Sequence, residues 1–209
     1  MPPAPERLQL SAIVPCFEEA ATLPTLLPRI ARAAAALAPS AFEVVLVVSE
    51  HARDGTPAVA QALAGGAPWL RVVSEPRDAP GYGQAVAAGI RAAHGATLWL
   101  IDGDGQFDPA DLTAFAAGRT PDEVRIGWRS PRRDPWSRRL AGALYSRVTV
   151  ALVGLPPVRD LDCAFKLIPG SLLAGVPLVS RTGVVNAEIL NTAQRRGAPL
   201  SQRPVRHHP

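Results

Sequence analysis

The 209-residue chain is almost without lysine: Lys166 is the only one, and arginine supplies the remaining long basic side chains. Cysteine is nearly missing too. Cys16 and Cys163 stand far apart, which makes no disulfide framework and fits a reducing compartment. Met1-Pro2-Pro3-Ala4-Pro5-Glu6-Arg7 lacks the charged-then-apolar layout of a signal peptide and is expected to be disordered. No apolar run has the length a bilayer span needs, so the expected location is the cytoplasm, with no anchor in the sequence itself. Aromatic residues make up only 5%, and no nucleic-acid motif accompanies the basic residues, so no nucleic-acid partner is expected.

Other absences narrow the chemistry. The loop Pro15-Cys16-Phe17-Glu18-Glu19-Ala20-Ala21 follows the first apolar run and contains no glycine. A dinucleotide fold would place G-x-G-x-x-G there, and a P-loop G-x-x-x-x-G-K-[ST]; both are absent, which argues against a dehydrogenase and against a Walker-type NTPase. No histidine-rich zinc spacing and no G-x-S-x-G nucleophile elbow occur elsewhere.

What the chain does have is a regular alternation. Hydrophobic residues make up 47%, too many for a disordered chain, and the length suits one sizeable core. Leu8 to Val14 reads as a strand closed by Pro15. Thr22 reads as an N-cap, with Pro24 in the first turn and Leu23, Leu26, Leu27 and Ile30 on one helical face. Val44 to Val48 is a continuous aliphatic run, as a strand buried on both faces requires. A helix from Thr56-Pro57 through Leu63, a strand over Leu70 to Val73, a helix over Gly83 to His94 and a strand over Thr97 to Ile101 complete the series. This βαβαβαβ order implies a doubly wound, parallel α/β sheet, in which ligands bind outside the carboxyl ends of the strands. Those ends carry Pro15-Cys16, Ser49-Glu50, Ser74-Glu75 and Asp102.

Asp102-Gly103-Asp104-Gly105-Gln106 sets two carboxylates one residue apart at the last of these ends. Hard divalent cations take one or two carboxylates plus substrate phosphate oxygens. Asp-Gly pairs also simply make turns; the position at a strand end favours the metal. Arg125, Arg129, Arg132, Arg133, Arg138, Arg139 and Arg147 are concentrated in one region within a net charge of +4. Such a cluster suits phosphates or an anionic membrane surface, and equally a solvated helical face. The apolar stretch Leu140 to Pro157, interrupted by Arg147, reads either as an interfacial membrane contact or as an ordinary core-facing helix.

Taken in order, several segments resemble family 2 glycosyltransferases of the GT-A fold. Val14-Pro15-Cys16-Phe17-Glu18-Glu19 is similar to their V-P-x-Y-N-E opening, and Asp54-Gly55-Thr56 to the end of D-D-G-S-x-D-G-T. Gly81-Tyr82-Gly83-Gln84-Ala85 through Gly89 and Ala93 resembles G-x-G-x-A-x-x-x-G-x-x-x-A, and Asp102 to Pro109 the D-A-D-x-Q-x-D-P form of D-x-D. Arg159 to Lys166 resembles R-D-x-x-C-G-F-K, and Glu188-Ile189-Leu190 through Gly197 and Pro204-Val205-Arg206-His207 the E-I-L…G…P-V-x-H stretch. The last motifs are similar to the branch that makes polyprenyl- or dolichyl-phosphate sugars.

The resemblance implies a single GT-A domain over 1–209, Rossmann-like, with a mostly parallel twisted sheet and helices on both faces. It implies an inverting, metal-dependent transferase that moves a hexose from a UDP- or GDP-linked sugar to a polyprenyl phosphate, with peripheral contact at the inner face of the cell membrane as a further expectation. Asp102, Asp104 and Gln106 would hold Mg2+ or Mn2+. Pro15, Phe17, Glu19, Glu50, Gly83, Gln84, Asp102, Gly103 and Asp104 would bind the nucleotide sugar. Asp104, Arg129, Asp160 and Lys166 form the candidate catalytic set, with Arg129 and Lys166 pairing donor or acceptor phosphate. Asp160 would orient Lys166 or a sugar hydroxyl, or cap a turn, and Glu188 is either a site residue or a solvated helical glutamate.

Three departures stand out. Ser49-Glu50-His51-Ala52 replaces D-D-G-S, Glu18 replaces the asparagine of N-E, and Ala164 replaces the glycine of C-G-F. Family members usually continue past the region of His207 into an acceptor-side loop and often membrane helices, so this chain is expected to be a trimmed piece or a short stand-alone catalytic domain. A soluble or saccharide acceptor, or a GT-A-like binding module without turnover, are the alternatives. Sugar nucleotidyltransferases, which share the fold class, need a glycine-rich basic first loop that is absent.

Overall fold

Strand β1 (Leu10–Cys16) shows why a sheet forms here with helices on both sides. Its side chains alternate across the pleat: Ala12 and Val14 join one buried cluster with Leu23, Leu26, Leu27 and Ile30 of α1 (Leu23–Leu37). Ile13 joins the cluster on the other face with Val86 and Ala87 of α3 (Tyr82–Ala92). In β2 (Phe42–Val48), Val44, Leu46 and Val48 belong to the first cluster, while Val45 and Val47 pack with Ala85 and Ala88. A period of two with both faces apolar is what a strand sandwiched between helix layers demands.

The computed structural model describes residues 8–130, 149–150 and 154–208. The remaining elements are α2 (Thr56–Ala64), β3 (Leu70–Ser74), β4 (Thr97–Leu100), a 3-10 turn (Pro109–Asp111), α4 (Leu112–Ala116), β5 (Val124–Arg129), β6 (Lys166–Pro169), α5 (Gly170–Leu173), α6 (Val185–Arg195) and β7 (Leu200–Val205). The strands lie in the order β3-β2-β1-β4-β6-β5-β7. The first four run parallel, as the βαβαβαβ reading requires. Beyond β4 the sheet becomes mixed: β6 is antiparallel to β4 and β5, and β7 is parallel to β5. The parallel half places the carboxyl ends of β1, β2, β3 and β4 along one edge, which positions the site.

Some local expectations change. β1 runs through Pro15 rather than stopping before it, with Pro15 in register with Val47. Pro15 lacks an N–H, but on that side β4 has already ended and only the Pro15 carbonyl is used, accepting from Gly103 N at 3.1 Å. Thr22 occupies the N-cap of α1, yet its side chain makes no capping hydrogen bond. At α2 the N-cap is Gly55, whose φ of 86° suits glycine, and Thr56 falls inside the helix. Thr56 is instead part of a clamp. Asp54 Oδ1 accepts from Thr56 Oγ1 at 2.6 Å, Asp54 Oδ2 accepts from Ala20 N at 2.8 Å, and Thr56 Oγ1 accepts from Glu19 N at 2.8 Å. The Asp54-Gly55-Thr56 motif thereby fastens the loop after β1 to α2.

That loop contains Glu18 at a φ of 57°. A non-glycine residue in the left-handed region is strained by its Cβ, and asparagine tolerates the conformation far better. Glu18→Asn is therefore expected to stabilise the fold by about 1 kcal/mol, read as a higher urea midpoint; an unchanged or lower midpoint would show that the loop carries no such strain.

Candidate active site

Outside the carboxyl ends of the parallel strands lies a crevice of about 690 Å³. The loop after β1 contributes Pro15, Cys16, Phe17 and Glu19; the end of β2, Ser49 and His51; the end of β3, Glu75; and the end of β4, Asp102, Gly103 and Asp104. Gly81 and Tyr82 close it from the start of α3. Phe17 is 56% exposed, one of the few large hydrophobic side chains facing solvent among the described residues, and offers a flat apolar wall.

Gly103 is required by a close approach. A Cβ at that position would collide with Cys16 Sγ and come within 2.9 Å of Pro15 O. Only glycine lets the chain leave β4 against the end of β1 and keep Asp102 and Asp104 on the crevice wall. Asp104 Oδ1 accepts from Gln106 N at 2.9 Å, bending the loop back on itself.

Asp102 is the electrostatic anomaly. Its Oδ1 is sealed from solvent and has no hydrogen-bond partner. Burial, then the neighbouring Asp104 carboxylate, push its pKa up to about 7, against the opposing hydrogen bond from Tyr82 and the charges of Lys166 and Arg129. Burial, followed by its charge contacts with Glu19, Asp102 and Asp104, raises the Cys16 thiol well above its usual range, so the cysteine is an inert wall residue. A buried, unsatisfied carboxylate oxygen beside a second carboxylate is costly unless a cation completes it. The pair fits a hard divalent ion. Among the described residues no group of three His, Cys, Asp or Glu side chains forms a ready metal cage. Such an ion would therefore draw its remaining ligands from substrate phosphate and water.

Several residues singled out from the sequence stand elsewhere. Glu50 is outside the crevice lining, because its carboxylate pairs with the exposed Arg77; Ser49 and His51 face the cavity in its place. Gly83 and Gln84 are also outside it. A Cβ on Gly83 would collide with Ser180 O and come within 2.8 Å of Thr182 O, and Gln84 Nε2 donates to Ser180 O at 3.0 Å. These two dock α3 onto the segment before α6. Glu188 braces the same segment, accepting from Val179 N and Ser180 N at 3.1 Å each.

Gln106 lies beyond the crevice wall, its Oε1 3.1 Å from His207 Nε2. The chain there is held by Arg206, whose Nε donates to Asp111 Oδ1 at 2.7 Å, and by His208 N donating to Gln106 O at 2.7 Å. Arg129 and Asp160 are brought together: Arg129 Nε and a terminal guanidinium nitrogen reach the two oxygens of Asp160 at 2.7 and 2.8 Å. Asp160 thus orients Arg129, and its charge also acts on Lys166. Lys166 is 0% exposed. Its Nζ donates to Asn186 Oδ1 at 2.7 Å, to Leu161 O at 3.3 Å and to Cys163 O. A lysine so enclosed cannot reach a phosphate in the crevice; it braces the loop before β6 and places a positive charge behind Asp102. The crevice residues that the motif reading left without a role are Ser49, His51, Glu75 and Tyr82. Ser49, Glu75 and Tyr82 carried a signal, the first two at strand ends and the third inside the glycine motif.

The arginines at 132, 133, 138, 139 and 147, and most of the 140–157 stretch, lie outside the described residues. Among the described residues, no helix is long and apolar enough to cross a membrane.

Residues 11–138 match the Glycosyl transferase family 2 profile. The chain belongs to that family. It is similar to the dodecaprenyl-phosphate galacturonate synthase of Rhizobium johnstonii, 29% identical over 179 residues, which cover 83% of this chain and 52% of that protein. It is also 29% identical over 161 residues to the undecaprenyl-phosphate 4-deoxy-4-formamido-L-arabinose transferase of Aeromonas hydrophila, covering 75% of this chain and 48% of the other. The family 2 chain thus spans about half the length of these relatives. In fold it is similar to the glucosyl-3-phosphoglycerate synthase of Mycobacterium tuberculosis solved with UDP, with a TM-score of 0.72 and 20% identity over 98% of this chain and 72% of that one. Another structure of that synthase contains Mn2+, UDP and phosphoglyceric acid. The seven-stranded sheet is thus the GT-A architecture.

Proposed function

We propose that this chain is the catalytic domain of an inverting, metal-dependent glycosyltransferase that moves a hexose from a nucleoside-diphosphate sugar to a polyprenyl phosphate. The observation that carries the reading is Asp102: a buried, unpartnered carboxylate oxygen in a crevice at the carboxyl end of β4, beside Asp104. When bound, Mg2+ or Mn2+ would neutralise charge developing on the leaving diphosphate. Asp102 and Asp104 would hold it, and Gln106, tied to His207, would steady the loop that carries Asp104. Phe17 would cover the base, while Pro15 and Gly103 let the backbone lie close to the nucleotide. Arg129, aligned by Asp160, would face phosphate oxygens. A lipid phosphate is ionised at neutral pH, so the chain needs to supply little general base; its task is positioning and electrostatic complementarity. The polyprenyl acceptor is supported by the names of the two relatives above, and peripheral membrane contact by the lipid nature of such an acceptor.

Calorimetric titration with UDP- and GDP-hexoses, with and without Mn2+, followed by a transfer assay onto undecaprenyl phosphate in detergent, tests this. Metal-dependent binding of one donor and a glycolipid product are expected. Binding without any product on lipid or saccharide acceptors would favour a non-catalytic module, and product on a soluble acceptor alone would overturn the lipid assignment.

A further inference from the structure

Glu75 directly follows β3, with its side chain on the crevice wall and only 6% of the residue exposed. Its Oε2 accepts from Gly81 N at 2.9 Å. Its Oε1 accepts from none of the described residues, yet it is not sealed from the cavity as Asp102 Oδ1 is. A carboxylate enclosed to this degree normally satisfies both oxygens. Because Glu75 lines the crevice, that acceptor is open to a ligand bound there.

We propose that Glu75 is the carboxylate that binds the nucleoside of the donor, in place of Glu50; the inference rests on the nucleotide-sugar reading above. Two arguments select it. The first is charge. Asp102 and Asp104 mark the diphosphate end of the crevice, where a further carboxylate without a cation would repel phosphate. Glu75 lies three strands away in the order β3-β2-β1-β4, about 14 Å at the usual strand spacing. At that distance the ligand presents ribose hydroxyls and base N–H groups, which are neutral donors that a carboxylate accepts well.

The second argument is elimination along the rim. Ser49, at the end of β2, accepts from His51 N at 3.3 Å and has no charge. Glu50 is outside the lining and bound to Arg77. Glu19, on the loop after β1, is close enough to Asp104 and Asp54 to feel their charge, which puts it towards the diphosphate end. Among the described crevice residues, Glu75 alone offers a carboxylate at the nucleoside end.

Glu75→Gln keeps an oxygen to accept from Gly81 N–H while replacing the free acceptor with an amide. Calorimetry would compare wild type, Glu75→Gln and Glu50→Gln, each with UDP, GDP and inorganic pyrophosphate in Mn2+, alongside melting temperatures. Glu75→Gln is expected to weaken the preferred nucleoside diphosphate at least about tenfold, the scale of one charge-assisted hydrogen bond. Pyrophosphate affinity and melting temperature should stay at wild-type values, and Glu50→Gln should bind as wild type does. Unchanged nucleotide affinity in Glu75→Gln would overturn the assignment, and so would an equal loss for pyrophosphate, which marks a purely structural role. If the wild type binds pyrophosphate but neither nucleotide, the donor reading itself fails and takes this inference with it.

Discussion

Asp102→Asn is expected to make the ligand-free protein more stable above neutral pH while abolishing metal-dependent nucleotide binding. Its pKa rises from 3.8 to about 7 in the folded chain. Between those values the folded state keeps a proton that the unfolded chain has released, so the contribution of this group to stability falls as pH rises through that window. Above pH 7 the ligand-free protein carries an ionised, partly unsatisfied carboxylate, at a cost on the order of a few kcal/mol. Asparagine carries no charge there and removes the slope. A metal needs the ionised form, so its apparent affinity should climb as pH approaches 7 from below, with proton release on binding. Melting curves from pH 5 to 8, with and without Mn2+ and UDP, would check both halves. The wild type should lose stability with pH and regain it on adding ligand; the variant should do neither. Full Mn2+-dependent donor affinity in Asp102→Asn would refute the role assigned to this carboxylate.

Lys166→Met is expected to destabilise the fold strongly. The ammonium is wholly enclosed and donates to Asn186 Oδ1, Leu161 O and Cys163 O. Burial lowers its pKa, while Cys163, Asp160, Asp102 and Asp162 pull it back up. Removing one partner of such a buried charged network leaves its acceptors and carboxylates uncompensated, typically at about 3–5 kcal/mol. Methionine fills the volume, so the loss would be electrostatic and not a cavity effect. A urea midpoint lowered accordingly is the expected reading. A normal midpoint with lost nucleotide affinity would instead restore Lys166 as a phosphate-binding residue.

Much of the parallel half of the fold could be read directly. Aliphatic runs such as Val44 to Val48 and the spacing of Leu23, Leu26, Leu27 and Ile30 report local periodicity, and local periodicity is written in adjacent residues. The mixed half was not legible in this way. That β6 joins β4 antiparallel, placing Lys166 opposite Leu100, depends on pairing between segments far apart in the chain. Strand ends blurred for a related reason: Pro15 is tolerated within β1 only because β4 stops short beside it.

The sequence by itself determined the order of strands and helices as far as β4, the family motifs and the presence of two acids at the end of β4. Tertiary structure decided which polar groups face the crevice. Glu50 and His51 are neighbours in sequence, but one meets Arg77 at the surface and the other lines the cavity. Lys166 and Arg129 read alike as cations, yet one is buried in a cage of acceptors and the other is aligned by Asp160. Orientation of this kind depends on what packs behind each side chain, and those partners, Arg77, Asn186 and Asp160, lie between 20 and 31 residues away in the chain. A motif therefore names the type of group a site needs, and the packing behind it determines which residue supplies that group.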